Sequence, residues 1–306
     1  MTPPNPPQKH HYVPAFYLKG WTDELGKIHE FTQPRSSLIY VRHVKPEATG
    51  HLHRLYTLED TPEELAQVME EKFFKPLDTM ASETLSWMRR HGRRSGWDSS
   101  ARQVWSHFLL SMLVRAPEDI DIFRPNFREE FGNVTASEEE AYQHVRDKDD
   151  PLTYEEYARS RSTGFKERSM FRVYTGLIAN ESLAKKMSDM HWRVFDLPSH
   201  APTLLSSDRP IIWTPLGSSQ GHLALPLSPR QLFVIARTTE LIQRIEDVNA
   251  SQLAKEINRQ IVGAAARYVY DVDASRKEFI QKHFGTRPQI RLLAQIAAGG
   301  SLFFSS

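Results

Sequence analysis

The first residues able to do chemistry come early: His10 and His11, then Tyr12, Val13, Pro14, Phe16, Tyr17 and Trp21. An imidazole titrates near neutrality, which suits general acid or base work. Adjacent residues point in different directions, so only one of the pair can face a site reached from one side. Chain ends usually fray, whereas an arm this rich in aromatics is built to pack. Two readings stand side by side. In one, the aromatics anchor the arm and a histidine merely bonds a backbone carbonyl; in the other, His11 is an acid or base.

Further polar residues ask for the same treatment. His51 and His53 share one face of a strand and can offer two nitrogens to a metal. Zinc takes three or four protein ligands, and spacing marks no third, so the sequence assigns neither metal nor cofactor. Asp208 lies in a polar elbow, Ser206-Ser207-Asp208-Arg209-Pro210, that feeds a strand. An Asp there can cap its own backbone, or orient a histidine or bind a cation. Asn258 sits beside the apolar stripe Leu253, Ile257 and Ile261, so as an inward polar group it needs specific partners. Arg115 ends a helix, a position that the helix dipole favours in any case.

The elements that must position these residues follow from pattern. Hairpin strands are expected over 27–32 and 38–43, about the turn Gln33-Pro34-Arg35-Ser36-Ser37, with a short strand within 51–58. Thr61-Pro62-Glu63-Glu64 reads as a capping box opening a helix with the stripe Leu65, Val68, Met69, Phe73, Leu77 and Met80, bent at Pro76. A second helix starts at Ser100 and stops at Pro117, and 165–190 reads as helix with Gly176 a weak point. Short β-branched runs over 191–197, 211–214, 222–227 and 232–237 form strands, followed by helices near 239–247 and 251–270. The class is α+β: a mostly helical core with a small, partly antiparallel sheet formed by N-terminal and C-terminal β segments, which could be one composite sheet. Residues 1–9 read as a disordered Pro-rich tail and 10–290 as a single domain. Its helical middle is 61–190, its C-terminal part 191–283, and 291–306 form a tail.

Composition narrows the function classes. Cys is absent, which removes disulfides, zinc–thiolate sites, iron–sulfur clusters and thiol nucleophiles. Net charge is +1, so there is no global pull toward nucleic acid or membrane. With no signal peptide and no apolar run of ~20 residues, the expected setting is the cytoplasm, without membrane contact. Charge is nevertheless patchy. Arg89, Arg90, Arg93 and Arg94 precede Trp97; acids crowd 129–156; and Arg159 to Arg172 turn basic around Phe165 and Phe171. Such blocks either pair internally or track a phosphate backbone. Gly-x-Gly-x-x-Gly, P-loop, His-Glu-x-x-His and Gly-x-Ser-x-Gly motifs are missing. Arg102 and His107 match the Arg-x4-His signature of a superfamily of helical ribonucleases, the higher eukaryote and prokaryote nucleotide-binding domains. The match lies in the first turns of an amphipathic helix beside Trp105 and Phe108, and is read as chance.

Taken together, the blocks resemble an uncharacterised bacterial family, domain of unknown function 4238, marked by an N-terminal His-Tyr-Val-Pro signature. Here it is His11-Tyr12-Val13-Pro14, extended by Phe16-Tyr17-Leu18. Arg115-Ala116-Pro117 stands where the family tends to carry Arg-Thr-Pro. Ser207-Asp208-Arg209-Pro210 with Pro226-Leu227-Ser228-Pro229, and Asn258 ahead of Tyr268 and Tyr270, complete the likeness. The resemblance implies no activity, but it makes His11 part of a family motif. The leading expectation is a nucleic-acid-directed hydrolase, a nuclease or ribonuclease of a defence or toxin kind. His11, Asp208, Arg115 and Asn258 form its catalytic set, with Asp208 orienting His11 and Arg115 or Arg209 holding phosphate; His10, Tyr17 and Arg209 bind substrate. The alternative is a non-catalytic protein whose histidine–aromatic arm docks a partner. The two differ in whether His11, Asp208 and an arginine converge on one cleft.

Overall fold

Alternation at the N-terminus decides how the chain enters its core. The computed structural model describes residues 8–35, 38–61, 66–131, 134–288 and 291–297. Strand β1 (Lys9–His11) buries His10 and leaves His11 half-exposed, as a period of two requires. Pro14 then caps the short helix α1 (Ala15–Leu18), one residue ahead of the first helical position, and a 3-10 turn covers Lys19–Trp21. Tyr12, Val13, Tyr17, Leu18 and Trp21 are all buried, so this arm does not fray. Phe16, expected to point inward with Tyr17 and Trp21, is only partly buried and packs against Phe108.

The hairpin β2 (Ile28–Arg35) and β3 (Leu38–Val44) is antiparallel. Its register slips between Thr32 and Arg35, where Pro34 has no N–H for the ladder. Ser36 and Ser37 of the expected turn lie outside the described residues, as do Pro62, Glu63 and Glu64 of the expected capping box and Leu65 of the expected stripe. Strand β4 (His51–His53) returns to β1 and sets His51 opposite His11.

A π-helical turn, Glu70–Phe74, feeds α2 (Lys75–His91). The wider turn rotates the following face, so Leu77, Ala81, Leu85 and Met88 are buried, while Met80, expected in the stripe, is exposed. Helices α3 (Ser99–Val114), α4 (Pro117–Glu130), α5 (Ala136–Val145), α6 (Tyr154–Ser160), α7 (Thr163–Ile178) and α8 (Glu181–Ser188) follow. Asp98 rather than Ser100 caps α3, accepting from the Ala101 N–H. The single helix expected over 165–190 breaks because Asn180 caps α8 by accepting from the Leu183 N–H. The acidic stretch is partly helical, with a capping box between Thr135 and Glu138.

Strands β5 (His191–Asp196), β6 (Ser206–Ser207), β7 (Ile212–Trp213), β8 (His222–Ser228) and β9 (Gln231–Ala236) come next. They are followed by α9 (Thr239–Asp247), α10 (Ala250–Ala264), β10 (Val269–Asp271), α11 (Lys277–His283) and α12 (Leu292–Ala297). The helix expected over 251–270 therefore stops at Ala264, and Tyr270 belongs to a strand. The pairings are all antiparallel: a ribbon β1–β4, a sheet ordered β3-β2-β10-β6 and a second ordered β5-β9-β8-β7. The first four-stranded sheet joins N-terminal and C-terminal segments, with Phe31 opposite Val269; the second is separate from it, so the described strands do not form one composite sheet. The α+β class holds.

Part of the block charge is paired within the chain. Arg128 bridges Glu59 and Glu167, Arg124 holds Glu59, Arg161 lies 3.5 Å from Asp150 and Arg159 pairs with Glu155. Arg89 is spent on the Leu227 and Tyr17 carbonyls, and Arg93 on Glu246. No described helix is long and apolar enough to cross a membrane.

Candidate active site around His11

Three sets of bonds fix the signature segment. The Gly50 carbonyl accepts from both the Tyr12 and Val13 N–H groups, at 2.9 and 3.0 Å. Gly50 has φ +64, and a Cβ there would lie 2.9 Å from Val13 Cβ, so glycine is required twice over. His10 Nδ1 accepts from the Tyr56 N–H at 2.9 Å, which leaves Nε2 as the nitrogen that donates to Gln67 Oε1 at 2.6 Å. The tautomer is thereby set, and the ring stacks on Tyr56. His10 is wholly buried and ties the arm down; the expectation that it binds substrate is corrected.

Arg115 is the third fixture. Its Nε donates to the Tyr12 carbonyl at 3.2 Å, Nη1 to Asp78 Oδ1 at 2.9 Å and Nη2 to Met112 Sδ at 3.1 Å. The guanidinium lies between the Phe74 and Phe108 rings and is 0% exposed. Its fork is used up joining the arm, α2 and the end of α3, so it is not placed to hold a phosphate. That expectation is corrected to a positioning role.

Between the arm and the π-turn lies a cleft of about 270 Å³, lined among others by His11, Phe16, Glu70, Lys75, Asp78 and Thr79. Burial, the facing His51 ring and the Arg115 charge hold the His11 pKa down to about 4, so the ring is neutral at pH 7. Burial and the Asp78 carboxylate raise Glu70 to about 7, against the pull of Arg115 and Lys75. Asp78 is also raised by burial, despite its bond to Arg115. His11 Nε2 and Glu70 Oε2 are both buried without a hydrogen-bond partner. An orphaned buried polar atom costs ~1–3 kcal/mol and calls for an explanation. One cleft thus holds a neutral imidazole and a carboxyl whose environments have displaced their pKa values in opposite directions.

The other expected site residues go elsewhere. Asp208, Asn258 and Arg209 do not line the His11 cleft, so the convergence of His11 with Asp208 is not found. The Asp208 carboxylate accepts from the Ala266 and Arg267 N–H groups at 3.0 and 2.7 Å, and burial lifts its pKa to about 6. Arg209 donates to Glu118 at 2.6 Å. Asn258 accepts from the Leu205 N–H at 2.7 Å and donates to the Thr203 carbonyl at 2.8 Å, a backbone brace in place of the catalytic role expected for it. The Tyr17 hydroxyl, fully buried, bonds Ser206 and the Pro226 carbonyl, so it too leaves the substrate-binding list. Arg102 donates to the Ser188 and Met190 carbonyls and lies 4.8 Å from the Trp192 ring centroid. His107 does not line the cavity beside Arg102. Among the described residues no His, Asp and Glu group is placed to hold a metal.

The family description that matches the chain is a protein of unknown function, DUF4238, over residues 9–275. The chain belongs to that family. Comparison with curated proteins and with solved structures gives no match. The matched span takes in the arm, the π-turn, Arg115 and Asn258, so the cleft lies wholly within the family's own segment. Glu70, Lys75 and Asp78 escaped the sequence reading because a 3.6-residue period hides a π-turn. The available signal was Asp78 beside Leu77, an acid on the margin of an apolar stripe.

Proposed function

We propose that the protein is an acid–base hydrolase of phosphodiesters, with nucleic acid as the substrate class. The observation that carries this reading is the pair of oppositely shifted, orphaned groups, His11 and Glu70, in one cleft. In the reaction His11 Nε2 takes the proton of the attacking hydroxyl as its oxygen bonds to phosphorus. Glu70, protonated below about pH 7, gives its proton to the leaving oxygen as the second P–O bond breaks. Lys75, exposed at the rim, offsets the phosphate charge, and Arg115 adds positive potential from behind without touching it.

An exposed aromatic stack further along α2 favours a polymer. Lys75 and Thr79 line the cleft near the start of α2, and Trp87 and His91 lie near its end, turned about 120° and about 160° round the helix axis from Lys75. Trp87 is 46% exposed and stacks on His91 with centroids 3.7 Å apart. At 1.5 Å rise per residue that platform begins ~18 Å beyond Lys75, within a few nucleotides of it. The docking-arm alternative is weakened by the burial of Tyr12, Val13, Tyr17 and Trp21, which leaves little of the arm to dock.

The test is cleavage of mixed RNA and DNA oligonucleotides by the purified chain, with chelator and with added divalent cations. Cleavage by the wild type that His11→Ala and Glu70→Gln each lower ~100-fold or more, with neither variant melting markedly earlier than the wild type, supports the proposal. No cleavage under any condition, or cleavage that survives both substitutions, refutes it.

A further inference from the structure

A second polar cavity sits on the far side of Arg115, where Met112, which accepts from Arg115 Nη2, forms part of the wall. Its volume is about 120 Å³, roughly ten times what one water needs. The walls combine apolar groups, Met112, Ile211, Ile212 and Trp213, with Asp119 and Arg209.

Asp119 is 1% exposed. It is the third residue of α4, and its carboxylate takes the Ala116 N–H at the helix start, but Oδ1 has no hydrogen-bond partner. The nearest cation, Arg291 Nη1, is 3.8 Å away, beyond hydrogen-bonding reach. Arg209 Nε is likewise buried without an acceptor, since its pairing with Glu118 uses Nη2. Asp119 and Arg209 thus bring a buried unfilled acceptor and a buried unfilled donor to the lining of a cavity that Trp213 also lines. Arg209 and Arg287 line the cavity and Arg291 stands nearby, so the positive charge is already supplied. What Asp119 lacks is a neutral N–H, not a cation.

We infer that this cavity binds a planar heterocycle with a neutral N–H beside a ring acceptor, the edge of a nucleobase. The N–H donates to Asp119 Oδ1, Arg209 Nε donates to the acceptor, and the ring lies against Trp213 and Ile212. The observations are independent of the His11 cleft, and the site stands whether or not that cleft hydrolyses anything. Burial raises the Asp119 pKa to about 6, so binding to its ionised form strengthens above that pH.

Calorimetric titration of the full chain with uridine, cytidine, adenosine, guanosine and nicotinamide tests the assignment without any turnover. At least one nucleoside should bind with a Kd of about 1 mM or tighter near pH 7.5, and more weakly near pH 5. Asp119→Asn, which trades an acceptor for a donor, should weaken it about tenfold or more, and Ala264→Met, which narrows the cavity, should abolish it. If Asp119→Asn fails to fold, Ala264→Met decides alone. Silence from every nucleoside at roughly ten times that concentration, unaltered affinity in the variants that fold, or binding of nicotinamide alone would overturn the inference.

Discussion

Arg115 donates to Asp78 Oδ1 at 2.9 Å from a guanidinium that exposes none of its surface. The same group holds the Tyr12 carbonyl, so one side chain couples the signature arm to the helix that carries Lys75 and Asp78. Removing one partner of a buried ion pair strands the other. Arg115→Met should therefore cost about 3–5 kcal/mol in urea denaturation. Adding Asp78→Asn should return part of that loss, because the stranded carboxylate is gone. A single-variant cost below about 1 kcal/mol would show that Arg115 does not join the two elements.

The adjacent histidines should part company. His10→Ala leaves the buried Tyr56 N–H without its acceptor, a loss of ~1–3 kcal/mol plus the stacking on Tyr56. His11→Ala removes a half-exposed ring and should leave the melting temperature nearly unchanged. Cleavage should fall ~100- to 10,000-fold, the scale of losing general acid–base help. Thermal melts beside rate measurements settle both halves. A His11 variant that melts early with its rate intact would make the ring an anchor.

Part of this arrangement is legible in the sequence alone. The alternation that turns only one of His10 and His11 outward is a property of any strand, and Asn258 on an apolar stripe had to be bonded. What could not be read was which groups meet. His11 and Asp208 attracted notice as polar residues that local pattern did not explain, yet long-range pairing gives Asp208 to the Ala266 and Arg267 amides. His11 instead shares a cleft with Glu70, the first residue of a turn that breaks the helical period of that region. Of the two readings of the acidic and basic blocks, internal pairing accounts for Arg161 with Asp150 and Arg159 with Glu155, while Glu167 is taken by Arg128 from outside the blocks.

Asn258→Ala provides a control for structural bracing. It orphans the Leu205 N–H, while the Thr203 carbonyl still accepts from Arg276. The expected cost is about 1–3 kcal/mol in denaturant titration. The rate per folded molecule should not change. A rate loss without a stability loss would return Asn258 to the active site.

The proposed roles also set the rate profile. His11 must be neutral to accept a proton, which holds above about pH 4, and Glu70 must be protonated to give one, which holds below about pH 7. The profile of kcat/KM should be a bell between those limits, with an acidic optimum. Glu70→Gln should lower the plateau and abolish the alkaline limb. An unchanged alkaline limb in that variant would exclude Glu70 as the acid.

Stability should carry the same titrations with opposite signs. Glu70 is raised to about 7 in the fold against 4.5 as its ordinary value, so the folded chain holds a proton that the unfolded chain has released. Its contribution is complete below pH 4.5 and is lost as pH rises through 7. His11 is lowered to about 4 from 6.5, so its contribution is complete above 6.5 and is lost as pH falls through 4. A wild-type scan mixes the two, whereas the difference between Glu70→Gln and wild type isolates the carboxyl. That difference should be near zero at pH 4 and should grow in favour of the glutamine between pH 4.5 and 7. Because Glu70 is partly exposed, its size should be on the order of 1–2 kcal/mol rather than the full linkage value. Melting curves of the two proteins across that range measure it. A difference that stays flat with pH would mean that Glu70 titrates as an ordinary surface carboxylate, and the acid in the proposed mechanism would be lost.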